Sequence, residues 1–261
     1  MYRISPTVKQ LLIINVIFFI GTIALPETKN FLSLFFPENN SFFFWQLFTH
    51  MFMHADILHL FFNMFALWMF GSAVESTLGS RRFLIFYLTC GLGAVLAHIS
   101  YSYFIYYSNL EVLINAGYTA SEVLTTFNNG IVVNTPDGSY LSNSDPLFRT
   151  FDNILNTNSK EFSEAFYVKM VGASGAIMGI LVAFGMFFPE SKLMLIFLPI
   201  PIKAKYFIPG IILLDLFSAI TGQAIFSPSN TAYVAHLGGA LTGFLIMYYW
   251  KKNQFNRNRW Y

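Results

Sequence analysis

Charged residues are scarce in this chain, at 11% of its 261 residues, whereas soluble domains carry roughly a quarter. Cysteine is nearly absent: Cys90 is the single one, so no disulfide can form within the chain. The net charge of +2 is too small to indicate nucleic-acid binding. These shortages exclude a soluble domain of ordinary composition, a disulfide scaffold and a nucleic-acid-binding protein.

Apolar residues are abundant instead, at 55% of the chain. A membrane-spanning helix needs about 20 mostly apolar residues, because the hydrocarbon core is roughly 30 Å thick. Six stretches meet or approach that length: residues 10–25, 57–74, 83–107, 167–189, 206–222 and 231–250. The first could be mistaken for a signal peptide, but it lacks a small-x-small cleavage site, so we expect a retained helix.

The basic residues indicate how these six stretches are oriented. With both termini cytoplasmic, eleven of the fifteen basic residues lie on the cytoplasmic side, as the positive-inside rule favours. They are Arg3, Lys9, Arg81, Arg82, Lys192, Lys203, Lys205, Lys251, Lys252, Arg257 and Arg259. The sequence therefore predicts an all-α, polytopic membrane protein, a bundle of six transmembrane helices with both ends in the cytosol.

Three connecting segments are unusual. Residues 26–54 are apolar but interrupted by turns, which favours a half-submerged, membrane-associated outer loop. Residues 108–165 form a polar outer insertion between spans three and four, either a small ordered cap or a flexible loop. Within it, Ile131-Val132-Val133 lies between the turn signals Asn128-Asn129-Gly130 and Thr135-Pro136-Asp137-Gly138, which is typical of a short strand. Residues 193–202 are expected at the cytoplasmic interface.

Polar residues inside apolar helices are costly, so each invites a functional explanation. His59 and Asn63 are four residues apart and share one helix face. The fourth stretch carries Gly172-Ala173-Ser174-Gly175, and the sixth carries Ala235-His236-Leu237-Gly238-Gly239. Alone, each motif is weak, because serine in a membrane helix usually bonds its own backbone and a lone histidine is more often a buried hydrogen-bonding residue.

The combination is more informative than its parts. Threading the spans places Ser174, His236, His59 and Asn63 on three helices, each within one or two turns of the outer surface. A neutral imidazole at that depth could accept the serine proton, which a hydroxyl needs to become a nucleophile.

Two pairs of glycines support close approach of the helices. Gly175 and Gly179 are four residues apart on the serine helix, as are Gly239 and Gly243 on the histidine helix. Small residues at this spacing let membrane helices pack closely. Close packing is what a Ser–His hydrogen bond of about 2.6–3.2 Å requires.

With these residues the chain resembles the rhomboid intramembrane serine proteases, of the bacterial type with a six-span core. The matching residues are Glu75 with Leu78-Gly79, the set His54, His59 and Asn63, Gly172-Ala173-Ser174-Gly175, and Ala235-His236-Leu237-Gly238-Gly239 with Gly243. The resemblance covers essentially the whole chain outside the insertion. We therefore expect residues 1–261 to form a single rhomboid membrane domain, with residues 26–54 as the family's first outer loop.

The resemblance implies a role for each matching residue. Ser174 is the nucleophile and His236 the general base, a dyad without an acidic third member. The His59 and Asn63 side chains and the Ser174 backbone N–H bind the oxyanion. Supporting positions are His54, Gly172, Gly175, Met178, Gly239 and Gly243. The residues agree with a dyad, since we find no acid near Ser174 and His236 in sequence or depth.

Two positions depart from the family pattern. Members often have Trp-Arg in the first outer loop, where this chain has Trp45-Gln46, so we expect weaker anchoring of that loop. Members commonly have an aromatic residue four positions after the nucleophile that stacks on the histidine, where this chain has Met178. A thioether contacts aromatic rings favourably, by roughly 0.3–1.5 kcal/mol, so we expect a weaker but adequate platform.

Other polar residues have ordinary interpretations beside functional ones. Asp215 in the fifth stretch is either functional or a packing residue bonded to a neighbour such as Ser218. For His98 we favour hydrogen bonding in the core. His50 and His54 are expected to brace the outer loop and the top of the second span, with His54 the better site candidate.

By resemblance, the substrates are transmembrane proteins in the lipid bilayer, and no metal, nucleotide or redox cofactor is implied. A bacterial inner membrane is the expected location. The main alternative is a catalytically inactive relative that binds membrane-protein clients, although such relatives typically lose the serine or the histidine. A metal enzyme using His50, His54 and His59 would leave Ser174 unexplained. A channel or transporter would need paired broken helices that the chain lacks.

Overall fold

A computed structural model describes residues 4–135, 138–142, 146–167, 169–195, 198–221 and 232–257, and most of them are helical. In chain order the helices are α1 (Pro6–Ala24), α2 (Glu27–Leu32), α3 (Gln46–Thr49), α4 (Ile57–Ala66), α5 (Ser72–Leu78), α6 (Ser80–Asn115), α7 (Ala120–Asn128), α8 (Pro146–Leu155), α9 (Ser159–Tyr167), α10 (Ser174–Phe187), α11 (Ala204–Thr221) and α12 (Ala232–Arg257). A π-helical turn, Leu67–Gly71, joins α4 to α5, and 3₁₀ turns lie at His50–Phe52 and Asn156–Asn158.

Two antiparallel hairpins accompany the helices. Strand β1 (Ile131–Thr135) pairs with β2 (Gly138–Ser142), so the short strand predicted at residues 131–133 is confirmed. Strand β3 (Lys192–Leu195) pairs with β4 (Leu198–Lys203) in the segment expected at the cytoplasmic interface, where the all-α prediction included no strand. The predicted turn residues Pro136 and Asp137 lie outside the described residues, as do the ends of the predicted fifth and sixth stretches at residues 222 and 231.

Several helices are suited to a membrane, which confirms the coarser prediction of a polytopic membrane bundle. Among the described residues, four helical segments are long and apolar enough to cross a bilayer: α1, the segment Ile57–Leu78, α6 and α11. Helix α10 is apolar but has 14 residues. Helix α12 has 26 residues.

The fourth predicted stretch is wrong in its start, because α10 begins at Ser174 rather than at residue 167. Before it, Met170 forms an isolated antiparallel bridge with Leu34 of the outer loop. Gly172 then has a φ of +112°, in the left-handed region that favours glycine. The residues from Met170 to Ala173 are therefore not helical, and the helix begins only at Ser174.

A buried carboxylate holds the N-terminal start of α1. Glu75 accepts hydrogen bonds from the backbone N–H groups of Thr7 and Val8, both at 2.9 Å, and from the hydroxyls of Ser5 and Ser80. The first N–H groups of a helix lack partners in the helix and carry its positive end, so a carboxylate there is stabilising. The first apolar stretch is thus a helix packed into the bundle.

The two glycine pairs lie against each other where α10 meets α12. A Cβ at Gly239 would overlap the backbone of Gly175, and one at Gly243 would lie 2.7 Å from the Cα of Gly179. Ala94 of α6 fills the remaining space beside Gly175. Backbone-to-backbone contact between α10 and α12 is therefore possible only because these positions carry no side chain.

The predicted insertion begins later than residue 108, because residues 108–115 continue α6. The described residues that follow are folded into helices and a hairpin, which favours the ordered cap over the flexible loop. Helices α7, α8 and α9 enclose a hydrophobic cluster with the C-terminal half of α6. Its buried members are Phe36, Tyr106, Leu110, Leu113, Val123, Phe127, Phe151, Leu155, Phe162, Phe166 and Tyr167. Because Phe36 belongs to residues 26–54, the cap also packs on the outer loop.

Gln46 anchors the outer loop at the position where the family often has arginine. Its side chain is fully buried, and its amide oxygen accepts the Phe35 N–H at 3.2 Å. Its amide nitrogen donates to the carbonyls of Ser41 at 2.9 Å and Phe31 at 3.3 Å. The neighbouring Trp45 indole also donates to the Phe31 carbonyl. Glutamine therefore holds the loop through three backbone groups, a neutral substitute for the expected cation.

Candidate active site

Ser174 is the first residue of α10 and is half-buried. The preceding turn is held because the Gly172 N–H donates to the His50 carbonyl at 2.9 Å. The first backbone N–H groups of a helix have no acceptor within that helix, and they form its positive end. The serine hydroxyl thus lies beside N–H groups that α10 itself cannot bond.

His236 lies on α12, one turn before Gly239, and meets Ser174 directly. Its Nε2 is 2.9 Å from the Ser174 Oγ, within hydrogen-bond range. The close approach of α12 to α10 at the glycines allows this distance. The structure therefore brings the predicted nucleophile and base together, with 16% of the His236 side chain exposed.

An acid also contacts this pair, so the expectation that no acid lies near it is wrong. The other ring nitrogen of His236, Nδ1, is 3.1 Å from the Oδ2 of Asp215 on α11. The Asp215 side chain is 12% exposed. The imidazole thus lies between the hydroxyl of Ser174 and a carboxylate.

The sequence did contain a signal for Asp215. It lies six residues before the described end of α11 at Thr221, and His236 lies four residues after the described start of α12. At about 1.5 Å per residue these spacings correspond to depths of roughly 9 Å and 6 Å below the helix ends. Measured from the connection between α11 and α12, Asp215 and His236 therefore lie at similar depth. The position of Asp215 within its own apolar stretch does not reveal this.

His59 and Asn63 converge on the turn before Ser174. Asp56 caps α4 by accepting the His59 N–H at 2.8 Å, which fixes the start of that helix. A Cβ at Gly172 would lie 2.8 Å from the His59 Nε2 and 3.7 Å from the Asn63 Nδ2. Asn63 is 6% exposed, and its Nδ2 has no hydrogen-bond partner among the described residues. A buried amide donor left unbonded is costly, so a ligand that accepts from it would be favoured.

His50 and His54 lie behind the site. The His50 Nδ1 is 2.9 Å from the Gln46 carbonyl, and burial lowers the pKa of His50 to about 4. The His54 ring packs edge-on against the His59 ring with centroids 5.1 Å apart, and burial lowers the pKa of His54 to about 4. Both histidines are therefore neutral at pH 7. Among the described residues neither ring nitrogen of His54 has a hydrogen-bond partner, so bracing by His54 stays a prediction.

The remaining candidates are placed as follows. Met178 is buried one turn after Ser174 on α10. His98 lines a cavity of about 400 Å³ between α6, α9 and α11. The expected core hydrogen bond is missing at its Nδ1, which has no partner within the described part of the chain. The described residues also contain no cluster of three or more histidine, cysteine, aspartate or glutamate side chains that could hold a metal ion.

Comparison with known proteins shows which family the sequence resembles. The sequence pattern of the rhomboid domain matches residues 41–121 and 150–253, which together exceed half of the chain. The chain is 27% identical to presenilin-associated rhomboid-like protein A, mitochondrial, of Danio rerio over 209 residues, which are 78% of this chain and 38% of that protein. It is 45% identical to rhomboid protease GluP of Bacillus subtilis (strain 168) over 58 residues, which are 22% of this chain and 11% of that protein. The chain thus spans well under half the length of these relatives.

Proposed function

Because this chain belongs to the rhomboid family, we propose that it is an intramembrane serine endopeptidase. It hydrolyses peptide bonds of membrane-anchored proteins within or near the outer leaflet. The observation that carries the proposal is the 2.9 Å distance between the Ser174 Oγ and the His236 Nε2. A nucleophile within hydrogen-bond reach of its base is the geometry that acyl transfer requires.

The reaction runs through an acyl-enzyme. The Ser174 Oγ attacks the scissile carbonyl carbon while the His236 Nε2 takes the hydroxyl proton. The C–N bond then breaks, and the same proton passes from Nε2 to the leaving amine. Water attacks the resulting ester, giving one proton to Nε2, which returns it to the Ser174 Oγ as the acid product leaves. All steps use the chain's own side chains and water.

Three donors are assigned to the oxyanion of the tetrahedral intermediate. They are the Ser174 backbone N–H, the Asn63 Nδ2 and the His59 Nε2. The unbonded Asn63 amide and the convergence of both side chains on Gly172 support this assignment. Donors that are oriented before the reaction stabilise the charge as it develops, and losing one costs about 10²–10³-fold in kcat in other serine enzymes.

The proposal includes a membrane arrangement. Six spans correspond to α1, the segment Ile57–Leu78, α6, α10, α11 and α12, with both termini on the positively charged cytoplasmic side. Helix α10 is short because its outer end is replaced by the extended chain that reaches Ser174. Residues 26–54 lie half-submerged, as their exposed Phe31, Phe44 and Trp45 side chains favour. A bacterial inner membrane is the proposed location.

The substrates are transmembrane proteins whose helices unwind readily near the outer surface. An intact helix engages its peptide groups in its own hydrogen bonds, so a scissile bond must first leave the helix. Small residues at the cleavage site suit the tight surroundings of Ser174, where the backbones of α10 and α12 touch.

Cleavage of a model transmembrane substrate by purified protein in liposomes tests this function. We expect wild type and the matched control Ser218→Ala, which removes another buried membrane serine, to cleave with or without a chelator. Ser174→Ala and His236→Ala should be inactive, and a fluorophosphonate probe should label wild type but not Ser174→Ala. Full cleavage by Ser174→Ala would overturn the assignment. Failure of wild type both to cleave and to label would favour a relative that binds membrane-protein clients without cutting them.

A further inference from the structure

Asp215 is an acid that the proposed dyad does not use. It is 8% exposed, on a helix suited to a membrane, where an ionisable side chain is costly unless it has a partner. The simplest structural partner would be Ser218, one turn further on α11. The structure instead directs the carboxylate Oδ2 to the Nδ1 of His236, at 3.1 Å.

The chemistry of a neutral imidazole makes this contact informative. Such a ring carries one N–H and one lone pair, and either nitrogen can hold the hydrogen. An ionised carboxylate only accepts hydrogen bonds. Facing the ionised form of Asp215, the Nδ1 of His236 carries the hydrogen, which leaves the lone pair on Nε2, directed at the Ser174 hydroxyl. This is the tautomer that a general base for Ser174 requires.

We propose that Asp215 is a positioning residue that holds His236 in the Nδ1–H tautomer and orientation and stabilises the imidazolium formed during attack. The site is then a Ser174–His236–Asp215 triad assembled from α10, α12 and α11. This inference rests on the proposed protease function. Asp215 touches neither substrate nor reacting atoms and acts only through the imidazole, which itself transfers every proton.

Low exposure strengthens the effect of the carboxylate. The side chains of His236 and Asp215 are 16% and 12% exposed, so little water competes for the hydrogen bond or screens the charge. In a soluble protease with this arrangement, replacing the aspartate by asparagine lowers kcat by about 10⁴ because the wrong tautomer forms. Asparagine can accept from Nδ1–H through its oxygen or donate to a bare Nδ1 through its NH₂ group, so both tautomers form and we expect a loss of up to about 10⁴-fold here.

Kinetics in liposomes test the positioning role. Asp215→Asn should lower kcat with KM unchanged, and it should slow fluorophosphonate labelling of Ser174 by a similar factor. Asp215→Glu keeps the charge and should recover part of kcat, although it adds a methylene to a packed site. Ser218→Ala on the same helix should behave as wild type. Wild-type kcat in Asp215→Asn, or equal losses in both Asp215 variants, would overturn the inference.

A spectroscopic measurement separates this inference from the protease function. In ¹⁵N-histidine-labelled protein, protonated and unprotonated ring nitrogens give separate NMR signals, and His236→Ala identifies those of His236. We expect the Nδ1–H form in wild type and a mixture of tautomers in Asp215→Asn. An unchanged spectrum would overturn the role of Asp215. If wild type is inactive but the tautomer shifts as expected, the protease proposal fails and the positioning of His236 by Asp215 stands.

Discussion

Replacing Gly239 by alanine tests whether helix spacing sets the Ser–His distance. The added Cβ would lie 2.7 Å from the carbonyl carbon of Gly175, and the carbonyl oxygen is nearer still. Ordinary van der Waals contact begins near 3.4 Å. Helix α12 must therefore move away from α10 by at least about 0.7 Å. If α12 moves by this amount along the line from Oγ to Nε2, the 2.9 Å distance lengthens to at least about 3.6 Å, too long for a hydrogen bond.

We expect Gly239→Ala to lower kcat by about 10²-fold, because misplacing reacting groups by about 1 Å has that effect. Overpacking should also lower the free energy of unfolding by about 1–3 kcal/mol. Liposome cleavage, the rate of Ser174 labelling and thermal unfolding measure these effects. Gly21→Ala is the matched control, since a Cβ there meets nothing within 4 Å. A folded Gly239→Ala protein with wild-type kcat would refute the argument from spacing.

Two other substitutions have expected outcomes. Asn63→Ala should keep the fold, because the Asn63 Nδ2 has no partner to lose among the described residues. It should lower kcat by about 10²–10³-fold in the cleavage assay. An unchanged rate would remove Asn63 from the oxyanion site. The second concerns pH. Burial lowers the pKa of His50 to about 4, below its usual 6.5. Between pH 6.5 and about pH 4, His50 is therefore protonated in the unfolded chain but neutral in the folded chain. As the pH is lowered through this range, His50 alone should reduce the free energy of unfolding by about 1.4 kcal/mol per pH unit. His50→Gln should make stability, followed by thermal unfolding, depend less on pH. Parallel profiles for the two proteins would show that another group controls the slope.

The outer loop shows why a departure from a family pattern cannot be weighed from the sequence alone. Gln46 in place of arginine predicted weaker anchoring, yet its buried amide bonds three backbone groups of the loop. The number of hydrogen bonds that a side chain makes depends on which carbonyls and N–H groups surround it, and those groups come from residues 5 to 15 positions away.

The start of α10 was also not predictable from hydropathy. Residues 170–188 carry no charge and, apart from Ser174, are apolar or glycine, so hydropathy predicts one long helix there. The bridge of Met170 to Leu34 competes for the backbone hydrogen bonds of that segment, and Gly172 permits the reversal that ends it. Ser174 therefore lies in the first turn of α10 rather than inside a longer helix. The backbone N–H groups of that turn are available to bond a ligand.

Local chemistry along the chain was enough to predict a membrane bundle, the glycine pairs and the residues Ser174, His236, His59 and Asn63. These predictions need only distances counted along the chain. They are the length of a span compared with the bilayer thickness, the four-residue spacing of the glycines and the depth of a residue from the end of its helix. Tertiary structure alone decided that Asp215 faces His236, that Gln46 holds the outer loop and that the cap is ordered. Those contacts depend on which sides of separate helices face each other, and helix rotation and lateral order follow from packing of the whole bundle.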